Sequence, residues 1–249
     1  MNTKNQYSKA ALIFAGGVGS RMKTTGVPKQ FIEIDGKPIL IRTIEVFDSF
    51  EEIDVIAVVC LKSYIPMLRN MISKFHLRKH ILITEGGSTG QESIYNGLQV
   101  LQSYQVKHPQ IPIVVAIHDG VRPFIDEILI KKCFDTAIET GNCIAVAQAI
   151  ETIAIKDCNG IQSILNRNDC LYLRAPQIFY LKDILEAHRK AIDEKLLDFV
   201  DSAQMMQYYG HNLHYEICDS SNIKITTAID FYAAKGLVTL SEAQKALGI

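Results

Sequence analysis

Short apolar runs, separated by longer segments of mixed polarity, set the pattern of this chain. The runs rich in β-forming residues lie at 10–14, 55–60, 81–84, 113–117 and 143–149. They are almost continuously apolar instead of alternating with polar positions, which is typical of strands covered on both faces. Because the intervening segments are long enough for helices, the pattern predicts an α/β fold with a doubly wound, mostly parallel sheet. Ligands of such sheets bind at the carboxyl ends of the strands, so the loops there form the candidate site.

The pattern changes between residues 150 and 167, where two β-rich segments flank the turn sequence Asp157-Cys158-Asn159-Gly160. Asn-Gly between such segments is a strong signal for a β-hairpin. An apolar hairpin inserted into a parallel-sheet protein projects from it, and exposed apolar surface of this kind usually packs on another subunit. We therefore predict that residues 1–249 form a single domain and that a projecting arm at about 150–167 joins two copies as a homodimer.

Composition argues against several classes of protein: those that bind nucleic acid or membranes, and those built on disulfides or zinc. The 249 residues are 48% hydrophobic and 21% charged, and their net charge of −1 gives no electrostatic case for nucleic acid or an anionic membrane as partner. The six cysteines are scattered with no Cys-x-x-Cys, which favours reduced thiols over a disulfide framework or a zinc site. The first residues are polar, and no apolar run approaches the roughly 18 residues of a spanning helix. We expect a cytoplasmic protein.

A glycine-rich loop follows the first predicted strand, and its residues 15–21 read AGGVGSR. Glycines let the backbone approach a bulky ligand, and exposed N–H groups in such turns bind anionic oxygens. Arg21 and Lys29 add two cations, as a nucleoside triphosphate requires. Met22 stands where a dinucleotide fingerprint has its third glycine, and the Gly-Lys-Ser/Thr ending of a P-loop is missing. A plain strand-to-helix turn with incidental surface cations stays open as an alternative.

A second glycine-rich loop, residues 85–93, joins the third predicted strand to a helix. Its hydroxyl and amide groups are suited to hydrogen-bond a base and a ribose. A helix start capped by Ser88 or Thr89 explains the same residues equally well.

The fourth predicted strand ends in the sequence HDGVRP, residues 118–123. Mg²⁺ is usually held by one or two carboxylates together with substrate oxygens, so Asp119 is the metal candidate. The competing interpretation is that Asp119 and Arg122 merely pair with each other and cap the following helix. We assign His118 no chemistry, because buried structural histidines are commoner than catalytic ones.

These loops, in this order, resemble the loops of a known family. The matching segments are 15–30, 86–93, 118–123, 166–167, 175–177, 201–202 and 222–227. Together they resemble the IspD/TarI family of cytidylyltransferases, which join CTP to methylerythritol phosphate or to ribitol phosphate, and the resemblance covers nearly the whole chain. It implies a Rossmann-like nucleotidyltransferase fold. It also implies a Mg²⁺-dependent in-line attack of the polyol phosphate on the α-phosphorus of CTP, with release of pyrophosphate.

The resemblance also implies roles for individual residues. Arg21 and Lys29 would stabilise the pentavalent transition state, and Arg167 and Lys224 would position the polyol phosphate. Asp119 would carry the metal ion. Arg122 and Thr152 are further substrate-binding candidates. The residues expected to hold CTP are Ala15, Gly16, Gly17, Gly86, Gly87, Ser88, Glu92, Ser93 and Gly120.

Two acceptors remain open. The methylerythritol branch commonly has Ala-Ala where this chain has Gly120 and Val121, and a lysine or arginine soon after the threonine that matches Thr152. Here residues 153–155 are Ile-Ala-Ile, which looks more like the ribitol branch. We therefore expect ribitol 5-phosphate, and with it teichoic acid or capsule synthesis. Methylerythritol phosphate, and with it isoprenoid synthesis, is the alternative. The residues alone do not separate CTP from UTP.

Two positions depart from the family pattern. Ala175 replaces a threonine common to both branches, which removes a hydroxyl from the acceptor side, and Arg174 is a candidate to compensate. A second carboxylate expected just before Asn222 is displaced, and Asp219 is the nearest acid.

Two function classes other than a cytidylyltransferase are considered. A non-catalytic nucleotide-binding subunit is disfavoured by the joint presence of Arg21, Lys29, Asp119, Arg167 and Lys224. An NAD(P) dehydrogenase is disfavoured because its glycine fingerprint is incomplete.

Overall fold

The computed structural model describes residues 7–16, 26–106 and 111–247, with side chains described as far as residue 240. Its strands are β1 (Ser8–Ala15), β2 (Glu33–Ile34), β3 (Lys37–Pro38), β4 (Val55–Cys60), β5 (His80–Glu85), β6 (Ile113–Asp119), β7 (Asn142–Gln148), β8 (Ala154–Asp157), β9 (Gly160–Ile164), β10 (Leu171–Tyr180) and β11 (Tyr215–Ile217). Its α-helices are α1 (Ile39–Ser49), α2 (Ile65–Lys74), α3 (Gly90–Val106), α4 (Glu127–Thr140), α5 (Leu181–Asp193), α6 (Ser202–Tyr208) and α7 (Ala228–Leu247).

Seven of these strands form the central sheet, in the order β11-β7-β10-β6-β1-β4-β5. β1 pairs in parallel with β4 and β6, β4 pairs in parallel with β5, and β11 pairs in parallel with β7. β10 runs antiparallel to both β6 and β7. The prediction of a mostly parallel sheet is therefore confirmed, with one antiparallel strand inside it.

β10 is not among the predicted strands, because Arg174 and Pro176 interrupt its apolar run and proline is rare inside a sheet. The structure accommodates this segment by a shift of register between Leu173 and Gln177 in the pairing with β7.

Helices cover both faces of the sheet, as the continuous apolar runs predict. One face packs against α1, α2 and α4, with Phe47, Leu68 and Phe134 fully buried there. The other face packs against α3, α5 and α6, where Leu98 and Ile184 are fully buried. No helix in the described part of the chain is long and apolar enough to cross a membrane.

The predicted hairpin is present. β8 and β9 pair antiparallel as a separate two-stranded sheet, and every residue of both strands is exposed. Asp157 accepts a hydrogen bond from the backbone N–H of Asn159 at 2.7 Å, and Gly160 adopts a φ of +128°, a conformation that favours glycine. Ile155, Ile161 and Ile164 project into solvent from this arm.

Candidate active site

The two glycine-rich loops touch each other at the carboxyl edge of the sheet. A Cβ atom on Gly16, after β1, would lie 2.9 Å from Ser93 Oγ and 3.2 Å from the Cα of Gly86, which follows β5. The N–H of Gly86 donates to the carbonyl of Cys60 at 2.9 Å. Glycine is needed at both loop positions because the two backbones are in contact. Gly17 and Arg21, which belong to the predicted site, lie outside the described residues.

The second loop is held by its own polar side chains. Ser93 Oγ accepts from the N–H of Gly87 at 3.0 Å, and Thr89 Oγ1 accepts from the N–H of Glu92 at 3.0 Å. Glu92 in turn accepts from the hydroxyl and the N–H of Ser88, each at 2.6 Å, and these hydrogen bonds lower the pKa of its carboxyl. The start of α3 is therefore capped by Thr89, as the competing interpretation proposes. The cap fixes the shape of the loop, and its contact with a nucleotide stays a prediction.

Lys29 lies beside the end of β1. It opens a 3-10 helix (Lys29–Phe31), and the next residue, Gln30, is buried and donates to the carbonyl of Ala15 at 2.7 Å. Gly120 lies on the other side of Ala15, and a Cβ atom there would be 2.8 Å from the Cβ of Ala15 and 2.9 Å from Leu40 Cδ1. Glycine at position 120 is thus required by packing against β1 and α1.

A buried ion cluster lies at the end of β6. Asp119 accepts from Lys224 Nζ at 2.6 Å through Oδ1 and from Arg122 Nε at 3.1 Å through Oδ2. Burial by itself raises the pKa of this carboxyl, but the charges of Lys224 and Arg122 outweigh burial and the pKa is lowered. Asp119 is therefore an ionised carboxylate with two cations attached.

The segment that carries Lys224 is tied to the sheet by several hydrogen bonds. The carbonyl of Asn222 accepts from Arg122 Nη1 at 2.7 Å and from Arg174 Nη1 at 3.2 Å. The side chain of Asn222 donates to the carbonyl of Ala175 at 2.8 Å, and the N–H of Ile225 donates to Val121 at 2.9 Å. These contacts explain how two distant sequence motifs come to share one site.

His118 lies behind this cluster and is fully buried. Its Nε2 makes a 2.9 Å hydrogen bond with the carbonyl of Arg122, and its ring packs edge-on against Phe47 with centroids 5.1 Å apart. Burial lowers its pKa to about 4, so it is neutral at pH 7. This environment is that of a structural histidine.

A cavity of about 550 Å³ opens beside the ion cluster, and it is lined at that end by Asp119, Arg122, Arg174 and Lys224. Its wall also contains Gln177, whose side chain donates to Asp201 at 2.8 Å and accepts from the N–H of Ala203 at 2.9 Å. The two remaining family-like motifs, at 175–177 and 201–202, therefore shape the same cavity. A larger cavity of about 650 Å³, between α1, α4 and α7, contains none of the predicted site residues.

Arg167 and Thr152 are not brought to this cavity. Both are exposed residues of the arm region, and Arg167 Nη1 donates to the carbonyl of Ile150 at 3.3 Å. Neither residue lines the cavity that Lys224 reaches. The four cations predicted around the reacting phosphates are thus divided between the sheet edge and the arm, apart from Arg21, which is not described.

The fit of Mg²⁺ depends on Asp119. In the described part of the chain no three His, Cys, Asp or Glu side chains are grouped so that they could hold a metal ion. Asp219, the acid nearest to the displaced second carboxylate, accepts a hydrogen bond from the N–H of Ser221 at 2.7 Å and lines the larger cavity instead. One ionised carboxylate at the mouth of a cavity still fits Mg²⁺, because this ion is commonly held by a single carboxylate with water and phosphate oxygens. It would share Asp119 with Lys224 and Arg122.

The site combines paired glycine loops, an ionised carboxylate and clustered cations at the carboxyl edge of a doubly wound sheet. These features define a nucleotide-binding α/β enzyme suited to phosphoryl transfer. Residues 9–240 match the family model described as "IspD: 2-C-methyl-D-erythritol 4-phosphate cytidylyltransferase". The chain therefore belongs to the IspD family of cytidylyltransferases, and the prediction of a nucleotidyltransferase is confirmed.

Individual relatives agree with this assignment. The chain is 39% identical over 239 residues to a ribitol-5-phosphate cytidylyltransferase of Streptococcus agalactiae serotype V, covering 96% of this chain and 98% of the relative. It is 37% identical to a 2-C-methyl-D-erythritol 4-phosphate cytidylyltransferase of Clostridium tetani, covering 92% and 89% of the two chains. The solved structure of 4-diphosphocytidyl-2C-methyl-D-erythritol synthase from Anaerococcus prevotii superposes with a TM-score of 0.81 at 26% identity, covering 94% of this chain and 97% of that one.

Proposed function

We propose that the protein transfers CMP from CTP to D-ribitol 5-phosphate and releases CDP-ribitol and pyrophosphate. The observation that carries the proposal is the convergence of Arg122 and Lys224 on Asp119 at the mouth of a cavity, beside the two glycine loops. The choice of acceptor is supported by the relatives of about 39% identity in Streptococcus agalactiae and 38% in Vibrio parahaemolyticus, both named ribitol-5-phosphate cytidylyltransferase.

Positioning and charge account for the proposed catalysis. Transfer of a nucleotidyl group involves little covalent work by the protein, so the rate depends on alignment of the phosphates and on stabilisation of developing negative charge. Lys29, held beside β1 by Gln30, and Arg21 supply positive charge at the triphosphate. Lys224 and Arg167 hold the acceptor phosphate. When bound, Mg²⁺ at Asp119 would neutralise charge on the phosphate oxygens.

The arm supports a homodimer. Its exposed apolar side chains, with Ile161 73% and Ile164 68% exposed, would be unfavourably hydrated in a monomer. We propose that the chain is a single nucleotidyltransferase domain and that its arm, residues 150–167, packs on a second copy. Because Arg167 does not line the cavity of its own chain, this contact would bring Arg167 and Thr152 to the cavity of the partner.

We place the reaction in the cytoplasm and in the synthesis of polyol-phosphate polymers such as teichoic acid or capsule. All six cysteines are free thiols, and Cys60, Cys133, Cys143 and Cys218 are buried. This is the usage expected in a reducing compartment.

Pyrophosphate release, measured with CTP and Mg²⁺, tests the proposal. Ribitol 5-phosphate and methylerythritol 4-phosphate are supplied side by side at equal concentration, and we expect a clear preference for ribitol 5-phosphate. UTP replaces CTP in a parallel series to test the choice of base. CTP binding without turnover on either acceptor would instead indicate a non-catalytic subunit.

The methylerythritol phosphate reaction is the second candidate, and a specific observation favours it. The matching family model carries that activity in its description, and so does the 37% identical relative of Clostridium tetani. A higher kcat/KM for methylerythritol 4-phosphate in the same assay would replace the ribitol assignment.

A further inference from the structure

Arg174 lies in β10, directly before Ala175, and its side chain lines the same cavity as Asp119 and Lys224. Its Nε is buried and has no hydrogen-bond partner. Its Nη1 donates at 3.2 Å to the carbonyl of Asn222, a neutral acceptor that already accepts from Arg122 at 2.7 Å. A buried guanidinium N–H without an acceptor is unusual in native proteins and requires an explanation.

The charges around Arg174 do not balance. Three cations, Arg122, Arg174 and Lys224, meet at this end of the cavity, and Asp119 is paired with two of them, so the formal local charge is three minus one, or +2. In the described residues no carboxylate forms an ion pair with Arg174. The charge of Arg174 is also close enough to contribute to the lowered pKa of Arg122, although burial is the larger cause.

The other carboxylates of the cavity wall do not supply the missing charge. Asp201 is bound to Gln177, whose Nε2 also lies 3.5 Å from the carbonyl of Arg174, and its two oxygens accept from Gln177 Nε2 and from the N–H of Gln204, each at 2.8 Å. Asp198 also lines the wall. In the described residues neither Asp201 nor Asp198 forms a salt bridge with Arg174, and Asp119 is already shared by Arg122 and Lys224.

The position of β10 in the sheet indicates which anion is missing. The glycine loops follow β1 and β5, whereas β10 lies on the opposite side of β6 in the strand order β10-β6-β1-β4-β5. Asp119, at the end of β6, separates the two sides. A triphosphate at the glycine loops leaves the β10 side for the second phosphorylated substrate.

We propose that Arg174 binds the phosphate of the acceptor. The proposal rests on the function proposed above. A guanidinium is a planar fork of N–H donors that matches two phosphate oxygens, and Arg174 lines the cavity, so an incoming phosphate would give this side chain the anionic acceptor that it lacks. It would also neutralise the local excess of positive charge.

The test compares Arg174→Gln, Arg174→Lys and the wild type by steady-state kinetics. We expect Arg174→Gln to raise KM for ribitol 5-phosphate about 10- to 100-fold, because a charged hydrogen bond is lost, and to change KM for CTP by less than about twofold. Arg174→Lys keeps the charge without the fork and should recover part of the loss. Arg69→Gln, which removes an exposed arginine on α2, is the matched control.

A binding measurement separates this proposal from the proposed function. Calorimetric titration of inorganic phosphate into the CTP-free wild type and Arg174→Gln needs no turnover. Binding to the wild type that is weakened about 10-fold or more in Arg174→Gln supports the site even if no polyol phosphate is a substrate. Equal binding by both proteins, or no binding by the wild type, overturns it. Equal losses for CTP and acceptor, not relieved in Arg174→Lys, would also overturn it, because they indicate a structural role.

Discussion

The carboxyl ends of the sheet strands, called the sheet edge here, and the arm each carry an arginine of the proposed site, but in opposite environments. At the sheet edge Arg122 is 6% exposed, is paired with Asp119 at 3.1 Å and also holds the carbonyl of Asn222. On the arm Arg167 is exposed and bonds a single carbonyl at 3.3 Å. The first arginine is fixed by buried contacts within its own chain, whereas the second is held by an exposed hydrogen bond. The residues at the sheet edge are therefore preorganised, and under the proposed homodimer the arm would complete its part of the site only on assembly.

The largest difference is expected from removal of one carboxylate in each region. Asp119→Asn leaves the buried Arg122 and the partly exposed Lys224 without their carboxylate, so the free energy of unfolding should fall by about 3 kcal/mol. Asp157→Asn, in the exposed hairpin turn, should change it by less than about 0.5 kcal/mol. Urea denaturation of both variants measures the two values. Similar losses would show that the ion cluster is no more important to the fold than a surface turn.

Replacement of Lys29 should affect turnover far more than binding. Lys29→Ala is expected to lower kcat about 100-fold or more, because the proposed contact acts on charge that develops in the transition state. The KM for the acceptor should stay nearly constant. Unchanged kcat in Lys29→Ala would remove this residue from the site.

Arg167→Ala, on the arm, should instead impair use of the acceptor while CTP binding persists. Equal loss of CTP binding in this variant would show that the acceptor site is misplaced.

The free energy of unfolding should depend on pH because two histidines are buried beside the sheet. The arm is not expected to add to this dependence through histidine, since its residues 154–164 contain none. Burial lowers the pKa of His118 and of His188 to about 4, so both stay neutral in the fold while unfolded histidines take up protons below pH 6.5. The free energy of unfolding should therefore fall between pH 6.5 and 4, by about 1.4 kcal/mol per pH unit for each histidine. Asp119, whose pKa is lowered, contributes stability that is lost only below its ordinary value of 3.8.

His188→Phe is the control for the pH dependence of the free energy of unfolding. His188 stacks on Tyr95 with centroids 5.5 Å apart, and neither ring nitrogen has a hydrogen-bond partner, so phenylalanine removes the titration without breaking a polar contact. Denaturation at pH 7, 6 and 5 should show a slope reduced by about half. An unchanged slope would mean that His188 does not titrate as proposed.

A mixing experiment tests whether the arm completes the site of the partner. Lys224→Ala and Arg167→Ala proteins, each nearly inactive, are unfolded together and refolded. If Arg167 acts at the cavity of the partner, each mixed dimer has one intact site, and the mixture should recover about a quarter of wild-type activity. If Arg167 acts in its own chain, every site keeps one lesion and no activity returns.

Much of the site could be predicted because local sequence controls it. The strands at 10–14, 55–60 and 113–117 followed from continuous apolar runs, and the loops after them followed from the rule that ligands bind at the carboxyl edge. The pairing of Asp119 with Arg122 is also a local feature, since the two residues are three positions apart on one turn. Contacts with Lys224 and Arg174 depend on the fold, and in the sequence Arg174 stands out only as a substitute for a missing hydroxyl.

The class of fold, the existence of the arm and the position of the glycine loops can be predicted from the chain alone, because apolar periodicity and turn chemistry act over a few residues. Two features follow only from the folded chain: β10 runs antiparallel between β6 and β7, and segment 222–225 returns to the end of β6. These features arise from pairing between residues far apart in the chain, where burial and hydrogen bonding outweigh local preference. For the same reason the charge excess around Arg174 became visible only when three cations were seen around one carboxylate.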